Sequence, residues 1–186
     1  GVQTCALPIC DIANLSNTVG AQTVYLYSTG GAFYSTSNNG SVITSVNIAD
    51  GDSVANFWFS HTLSGNYTVS VSEATPSANG ATGILDASDN ITVNPASVDA
   101  AISTLLPTSS SITADGASTQ LLTVRAKDEF GNNLSSGGAT VTITKLSGTG
   151  TISAVSDAGN GNYTATVTAA SASGSGVFVA TIGGAA

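Results

Sequence analysis

The chain has 186 residues, a formal charge of −8 from eleven acids and three bases, and only 8% charged residues. Neutralising phosphates takes clustered Lys and Arg, so neither nucleic acid nor an anionic membrane surface is expected as a partner. No run of about 18 apolar residues occurs, so no helical membrane span is expected either. The hydrophobic fraction of 41% is enough for real cores and the length allows one large or two ordinary domains. Serine and threonine make up roughly a quarter of the chain, and helical runs of Ala, Leu, Glu and Lys at 3.6 spacing are missing, which favours sheet with small polar outer faces.

The first nine residues, Gly1-Val2-Gln3-Thr4-Cys5-Ala6-Leu7-Pro8-Ile9, differ in character from the rest of the chain. They resemble the conceptual translation of a common sequencing adapter, whose leftover base also opens a cysteine codon and so fits Cys10. Residues 1–10 are set aside from fold reasoning on that ground, as tags are. The alternative is a genuine N-terminus closed by a Cys5–Cys10 disulfide.

A first module is expected over residues 11–95. Ile12 to Val19 carries little signal. Gln22 to Ser28 reads as a strand with Val24 and Leu26 on one face and Thr23, Tyr25 and Tyr27 on the other. Gly30-Gly31 breaks it before Ala32 to Ser35, and Asn38-Asn39-Gly40 marks a turn. Ile43 to Ile48 reads as one strand, closed by Asp50-Gly51-Asp52. Val54 to Ser60 places Ala55, Phe57 and Phe59 together and Trp58 opposite. Tyr67, Val69 and Val71 are in phase over Tyr67 to Glu73. A loose stretch from Ala74 to Ser88 ends in Ile91-Thr92-Val93.

Asn94-Pro95-Ala96 is the natural boundary, since proline cannot donate into a ladder, and a second module is expected over 96–186. Val98 to Leu105 reads as a strand, followed by Pro107, Ser111 to Thr113 and an Asp115-Gly116 turn. Thr119 to Lys127 alternates cleanly, with Leu122, Val124 and Ala126 inward and Thr123, Arg125 and Lys127 outward. Asp128 to Asn133 is a turn, and Val141 and Ile143 face inward from Ala139 to Lys145. Beyond Thr151 to Val155, Asp157-Ala158-Gly159-Asn160-Gly161-Asn162 is a hairpin signal feeding Tyr163 to Thr168, in which Tyr163, Ala165 and Val167 share a face. Val177 to Ile182 completes the set. Seven or so short strands over about ninety residues is the count of an immunoglobulin-like sandwich.

An internal echo supports two such modules. Thr23 to Ser28 with Gly30-Gly31-Ala32-Phe33 lines up with Thr140 to Lys145 and Gly148-Thr149-Gly150-Thr151. Gly65-Asn66-Tyr67-Thr68-Val69 echoes Gly161-Asn162-Tyr163-Thr164-Ala165, or else occupies a later strand of its module. On this alignment the first module lacks its first two strands, and the fragment reads as cut at both ends from a longer array.

Residues 97–186 resemble the group 1 bacterial immunoglobulin-like domains of invasin and intimin. The carrying motifs are Ile112-Thr113-Ala114-Asp115-Gly116, Leu122-Thr123-Val124, Asp128 followed by Gly131-Asn132, Val141-Thr142, and the corner Asp157 to Tyr163 with its strand Thr164 to Thr168. Residues 12–95 are similar, more weakly, to repeats that accompany such domains. The resemblance implies an all-β chain of two tandem immunoglobulin-like β-sandwiches, the first N-terminally truncated, in an extracellular, cell-surface array that holds a distal binding domain away from the envelope. It supplies no catalytic residue, and receptor binding would need a terminal lectin-like domain.

The expected function is therefore structural: spacer or stalk repeats of a bacterial adhesin, with neighbouring repeats in the same chain as partners and host or matrix protein or glycan at the far end. The alternative is a pair of accessory glycan-binding modules from a secreted polysaccharide-degrading enzyme. For that role Trp58, Tyr25 and Tyr27 are the candidate contacts, since outward aromatics stack on sugar rings. No enzyme is expected. His61 is the single histidine and no serine sits in a Gly-x-Ser-x-Gly elbow, while Gly51-Asp52-Ser53-Val54 lacks downstream partners. No cofactor is expected, with calcium at the domain junction as the exception: strand alternation returns Asp128 and Glu129 to the end where Asp99 and the linker lie, and hard cations favour such carboxylates. Asp128 and Asp157 are equally accounted for by their turns, and Asp86 and Asp89 by solvated loops. Lys127 and Lys145 sit on the threonine-lined outer phase, where a Lys–Asn crosslink is not expected. The sequons at Asn66, Asn90 and Asn162 follow from composition.

Overall fold

A computed structural model describes residues 5–6, 20–37, 40–72 and 87–185, with backbone alone for 5–6 and 184–185. The expectations placed on Cys10, on Ile12 to Val19, on the Asn38-Asn39 turn and on Glu73 to Asp86 lie outside the described residues. The chain divides into two compact units, Gly1–Asn94 and Pro95–Ala186. All regular elements among the described residues are strands.

The first unit contains β1 (Cys5–Ala6), β2 (Gln22–Ser28), β3 (Ala32–Tyr34), β4 (Val42–Ile43), β5 (Ser45–Ile48), β6 (Trp58–Ser60), β7 (Gly65–Ser72) and β8 (Ala87–Val93). They form two antiparallel sheets, β1-β6-β3-β4 and β5-β2-β7-β8. Leu26, Val69, Ile91 and Val93 from one sheet meet Phe33 and Phe59 from the other, with Phe57 between them, in one buried cluster. Phe33 touches Phe57 edge-on at a centroid distance of 5.6 Å, the arrangement that ring quadrupoles favour, and meets Phe59 at 5.7 Å with the rings tilted by 56°. Alternation over Gln22 to Ser28 and Gly65 to Ser72 therefore gives the inner faces read from the sequence. Gly31, at φ +82°, lets the chain turn beneath Phe59, where a Cβ would come within 2.7 Å of the ring.

Several elements differ from the sequence reading. Ile43 to Ile48 is not one strand: β4 pairs with β3 and β5 with β2, so the chain changes sheets at Thr44, whose carbonyl accepts from Leu26 N–H at 2.8 Å. Strand corners of this kind are how two packed sheets share a chain. Val54 to Phe57 has no ladder partner, and the strand begins at Trp58. Asp89 lies within β8, not in a loop. Cys5 and Ala6, excluded from the sequence reading of the fold, pair with Phe59 and Trp58.

The second unit contains β9 (Thr104–Leu106), β10 (Thr119–Arg125), β11 (Ala139–Gly148), β12 (Thr151–Ile152), β13 (Ser156–Asp157), β14 (Asn162–Thr168) and β15 (Gly176–Ala185). One sheet runs β12-β14-β10-β9 with β13 also on β14, and the other is the pair β11-β15. Leu122, Val124, Tyr163, Ala165 and Val167 bury against Ile143, with Phe178, Ala180 and Ile182 of β15 packed on them. The inward set expected over Thr119 to Lys127 and over Tyr163 to Thr168 is the buried one. Val98 to Leu105, read as one strand, is interrupted: Asp99 Oδ1 accepts from Ala101 N–H at 2.7 Å and its carbonyl from Ser103 N–H at 3.0 Å. This local Asx-type turn competes with the ladder. Ser111 to Thr113 has no strand partner.

The Gly-Asn-Tyr echo does not mark equivalent places. In the first unit its strand, β7, pairs with β2, whereas β14 pairs with β10 and not with β11. What the two share is the glycine-led approach to a strand. In the second unit Gly161 has φ +77° and lies so close to the Leu134 carbonyl that a Cβ would collide with it. Tyr163 is 1% exposed and its hydroxyl accepts from Ala139 N–H at 3.0 Å. Tyr163→Phe keeps the ring but leaves that N–H without a partner, so we expect a loss of about 1–3 kcal/mol. Urea unfolding followed by circular dichroism measures it, with Tyr163→Ala losing more.

Candidate functional site

Among the described residues Asp128 is the charged one most removed from water, at 0% exposure. It ends the alternating run of β10, where the chain turns back through Gly131, whose N–H bonds the Asp128 carbonyl at 3.0 Å. Oδ1 accepts from Phe130 N–H at 3.0 Å and Asn132 N–H at 2.9 Å. Oδ2 accepts from Ala96 N–H at 2.9 Å and Asn132 Nδ2 at 2.8 Å. Burial pushes the carboxyl pKa up, but the Asn132 amide and the N–H groups of Ala96, Asn132 and Phe130 outweigh it and hold it below the usual carboxylate range. The charge is thus spent on fastening residue 96 to a turn that lies 32 residues further along the chain.

Of the other two carboxylates considered for calcium, Glu129 is exposed and Asp99 is half-buried, its Oδ1 occupied by Ala101 N–H. Among the described residues no three His, Cys, Asp or Glu side chains come together in a metal-holding group. A hard cation prefers several free oxygens, and both of Asp128's already accept two bonds each. Millimolar calcium is therefore expected to leave the melting midpoint unchanged.

Asp115 and Asp157 also work on backbone. Asp115 accepts from Ser118 N–H, Ser118 Oγ and Ala117 N–H, which brings its pKa down to about 2. Asp157 Oδ1 accepts from Gly159 N–H at 2.8 Å, closing the hairpin corner, while Oδ2 accepts from Gly138 N–H at 2.8 Å at the start of β11. Arg125 Nη1 donates to the Asn160 carbonyl at 3.1 Å and Lys145 Nζ to the Gly150 carbonyl at 2.9 Å. These charged groups brace turns of the domain itself.

The aromatic candidates are not brought together. Tyr25 and Tyr27 project from β2, on the sheet opposite the one that holds Trp58 in β6, and the shared core lies between those sheets. Outward phase in one sheet is the reverse of outward phase in the other, so no single sugar ring meets all three. The cross-strand neighbour of Trp58 is Tyr34, which the sequence reading passed over because single-strand phase does not say which strands are adjacent. Both are half-buried. His61 stacks on Tyr67 at a centroid distance of 4.5 Å and its Nδ1 accepts from Leu63 N–H at 3.2 Å, while Ser53 sits in an exposed loop. Asn66 and Asn90 accept from Thr92 and Thr68 hydroxyls across β7 and β8.

Compared with known proteins, residues 99–186 match the family model described as invasin, domain 3. Among solved structures the chain is similar to that of invasin, described as a bacterial integrin-binding protein, at 21% identity and a TM-score of 0.43, covering 99% of this chain and 37% of that one. It is also similar to the D0–D1 domain of intimin at 15% identity and a TM-score of 0.35, covering 97% and 83%. No curated protein matches.

Two predictions test the role of Asp128. Asp128→Ala leaves three N–H groups and the Asn132 amide without their acceptor, and is expected to cost at least about 3 kcal/mol in urea unfolding. An unfolded aspartate titrates near ~3.9, above the folded values of Asp128 and Asp115. Their stabilisation is therefore complete above that pH and is lost as pH falls through the folded values. The melting temperature should hold level from pH 7 to pH 5 and drop below about pH 4, with a shallower drop in Asp128→Asn. Equal slopes for the two proteins would mean that Asp128 contributes nothing to the acid sensitivity.

Proposed function

Residues 99–186 form an invasin/intimin-type bacterial immunoglobulin-like domain, and on that premise we propose that the chain is a pair of spacer repeats in a bacterial cell-surface adhesin, displayed outside the cell. The observation that carries this reading is the work done by the family-motif residues. Asp115, Asp128, Asp157 and Tyr163 each bond backbone of their own domain, so none is left poised for a substrate. A repeat that uses its polar groups to hold its own turns suits a stalk, in which length in residues becomes reach. Threonine-lined outer faces keep such a repeat in solution at low charge.

Integrin binding belongs to the invasin of the solved structure, of which this chain spans 37%. A spacer does not need it. The purified, labelled chain is accordingly expected to show no binding above an unrelated sandwich domain on cultured mammalian cells, on immobilised integrin or on a glycan array. Glycan binding that disappears in Trp58→Ala would instead make these repeats accessory modules of a polysaccharide-degrading enzyme.

A further inference from the structure

The hairpin corner ahead of β14 carries a reactive pair. Asn160 is followed by Gly161, and in an Asn-Gly pair the backbone nitrogen attacks the preceding side-chain amide most easily, because no Cβ shields it. The sequence holds three such pairs, Asn39-Gly40, Asn79-Gly80 and Asn160-Gly161, of which the last lies wholly within the described residues. Every other asparagine among the described residues is followed by a bulkier residue.

The corner is arranged for this attack. Asn160 Oδ1 accepts from Asn162 N–H at 3.2 Å, and that bond closes a ring which folds the side chain over the intervening Gly161 nitrogen. The same donor polarises the side-chain carbonyl and stabilises the oxyanion formed when its carbon is attacked. Arg125 Nη1 donates at 3.1 Å to the Asn160 main-chain carbonyl, which belongs to the peptide group whose nitrogen is that of Gly161. A cation on this oxygen favours the deprotonated nitrogen, the attacking species. Gly161 N–H has no acceptor among the described residues, so no bond is broken before it reacts. Asn160 is exposed and open to water. Asp115-Gly116 is the contrast: its ionised carboxylate, held by Ser118 and Ala117, is a poor electrophile, and Gly116 N–H donates to the Ala170 carbonyl at 3.3 Å.

We propose that Asn160-Gly161 is a site of spontaneous backbone modification, activated by Arg125 and by Asn162 N–H. Gly161 N gives up its proton and bonds to Asn160 Cγ. The Cγ–Nδ2 bond breaks, and ammonia leaves with that proton, closing a five-membered succinimide. Water opens the ring at either carbonyl, restoring Gly161 N–H and leaving aspartate or isoaspartate at position 160. The isoaspartate form has one more methylene in the main chain just before Gly161. That glycine is fixed by its close approach to the Leu134 carbonyl and by the bond from Ala126 N–H to its own carbonyl at 2.9 Å, so the lengthened corner no longer fits and the domain loses stability as it ages. This goes beyond the spacer reading and does not depend on it.

The test incubates the full chain and a blocked peptide of residues 157–163 side by side at about pH 8, with the products at position 160 followed by peptide mapping. Asn160 should disappear at least threefold faster from the folded chain than from the peptide, and Arg125→Gln should slow its loss from the folded chain at least threefold. The separated isoaspartate fraction should melt below the fresh chain, whereas Asn160→Asp, with a main chain of normal length, should not. A folded chain that reacts no faster than the peptide would overturn the proposal. So would an unchanged or faster reaction in Arg125→Gln, since a guanidinium that merely braces the turn would hold the reaction back. An isoaspartate fraction that melts with the fresh chain would overturn the link to stability.

Discussion

A buried carboxylate without a counter-ion governs the second unit. Taking Asp128 out of water is costly, and an isolated charge in that position would simply take up a proton. Four N–H groups converge on it, three of them backbone, and together they reverse the effect of burial on its pKa. They also fix where residue 96 meets the turn after β10, because the bonds exist only if both segments are in place. The Val98–Asp128 bridge and the Asp99 turn lie next to that junction.

The two units solve the same packing problem with different connections. Each buries aromatic and aliphatic side chains between two antiparallel sheets. In the first, three phenylalanines fill the centre and the chain switches sheets to enclose them. In the second, Tyr163 fills the centre, and its hydroxyl must therefore find a partner, which it does at Ala139. A phenylalanine core needs no such partner and a tyrosine core does. Asp157 holds Gly138 N–H next to the tyrosine's own bond to Ala139.

Period-two patterning made the inner faces of β2, β7, β10 and β14 legible, since one buried face makes register strict. The corner at Asp157 was legible too, because Gly159, Gly161 and the Asp and Asn side chains act within a few residues of one another. What depended on distant neighbours was not. Ile43-Thr44-Ser45-Val46-Asn47-Ile48 contains neither glycine nor proline and gives no local sign of a change of sheet at Thr44. Strand phase placed Trp58, Tyr25 and Tyr27 outward, but outward from different sheets. Asp128 read as a turn residue, which it is. Its hold on Ala96 spans 32 residues and has no local signature.

The crossing at Thr44 bears on how the first unit comes apart. A single residue links β4 in one layer to β5 in the other, and its carbonyl is tied to Leu26 in the second layer. One layer cannot slide along the other at this point without breaking that tether. Loss of one layer in this half of the chain is accordingly coupled to the other through a single residue.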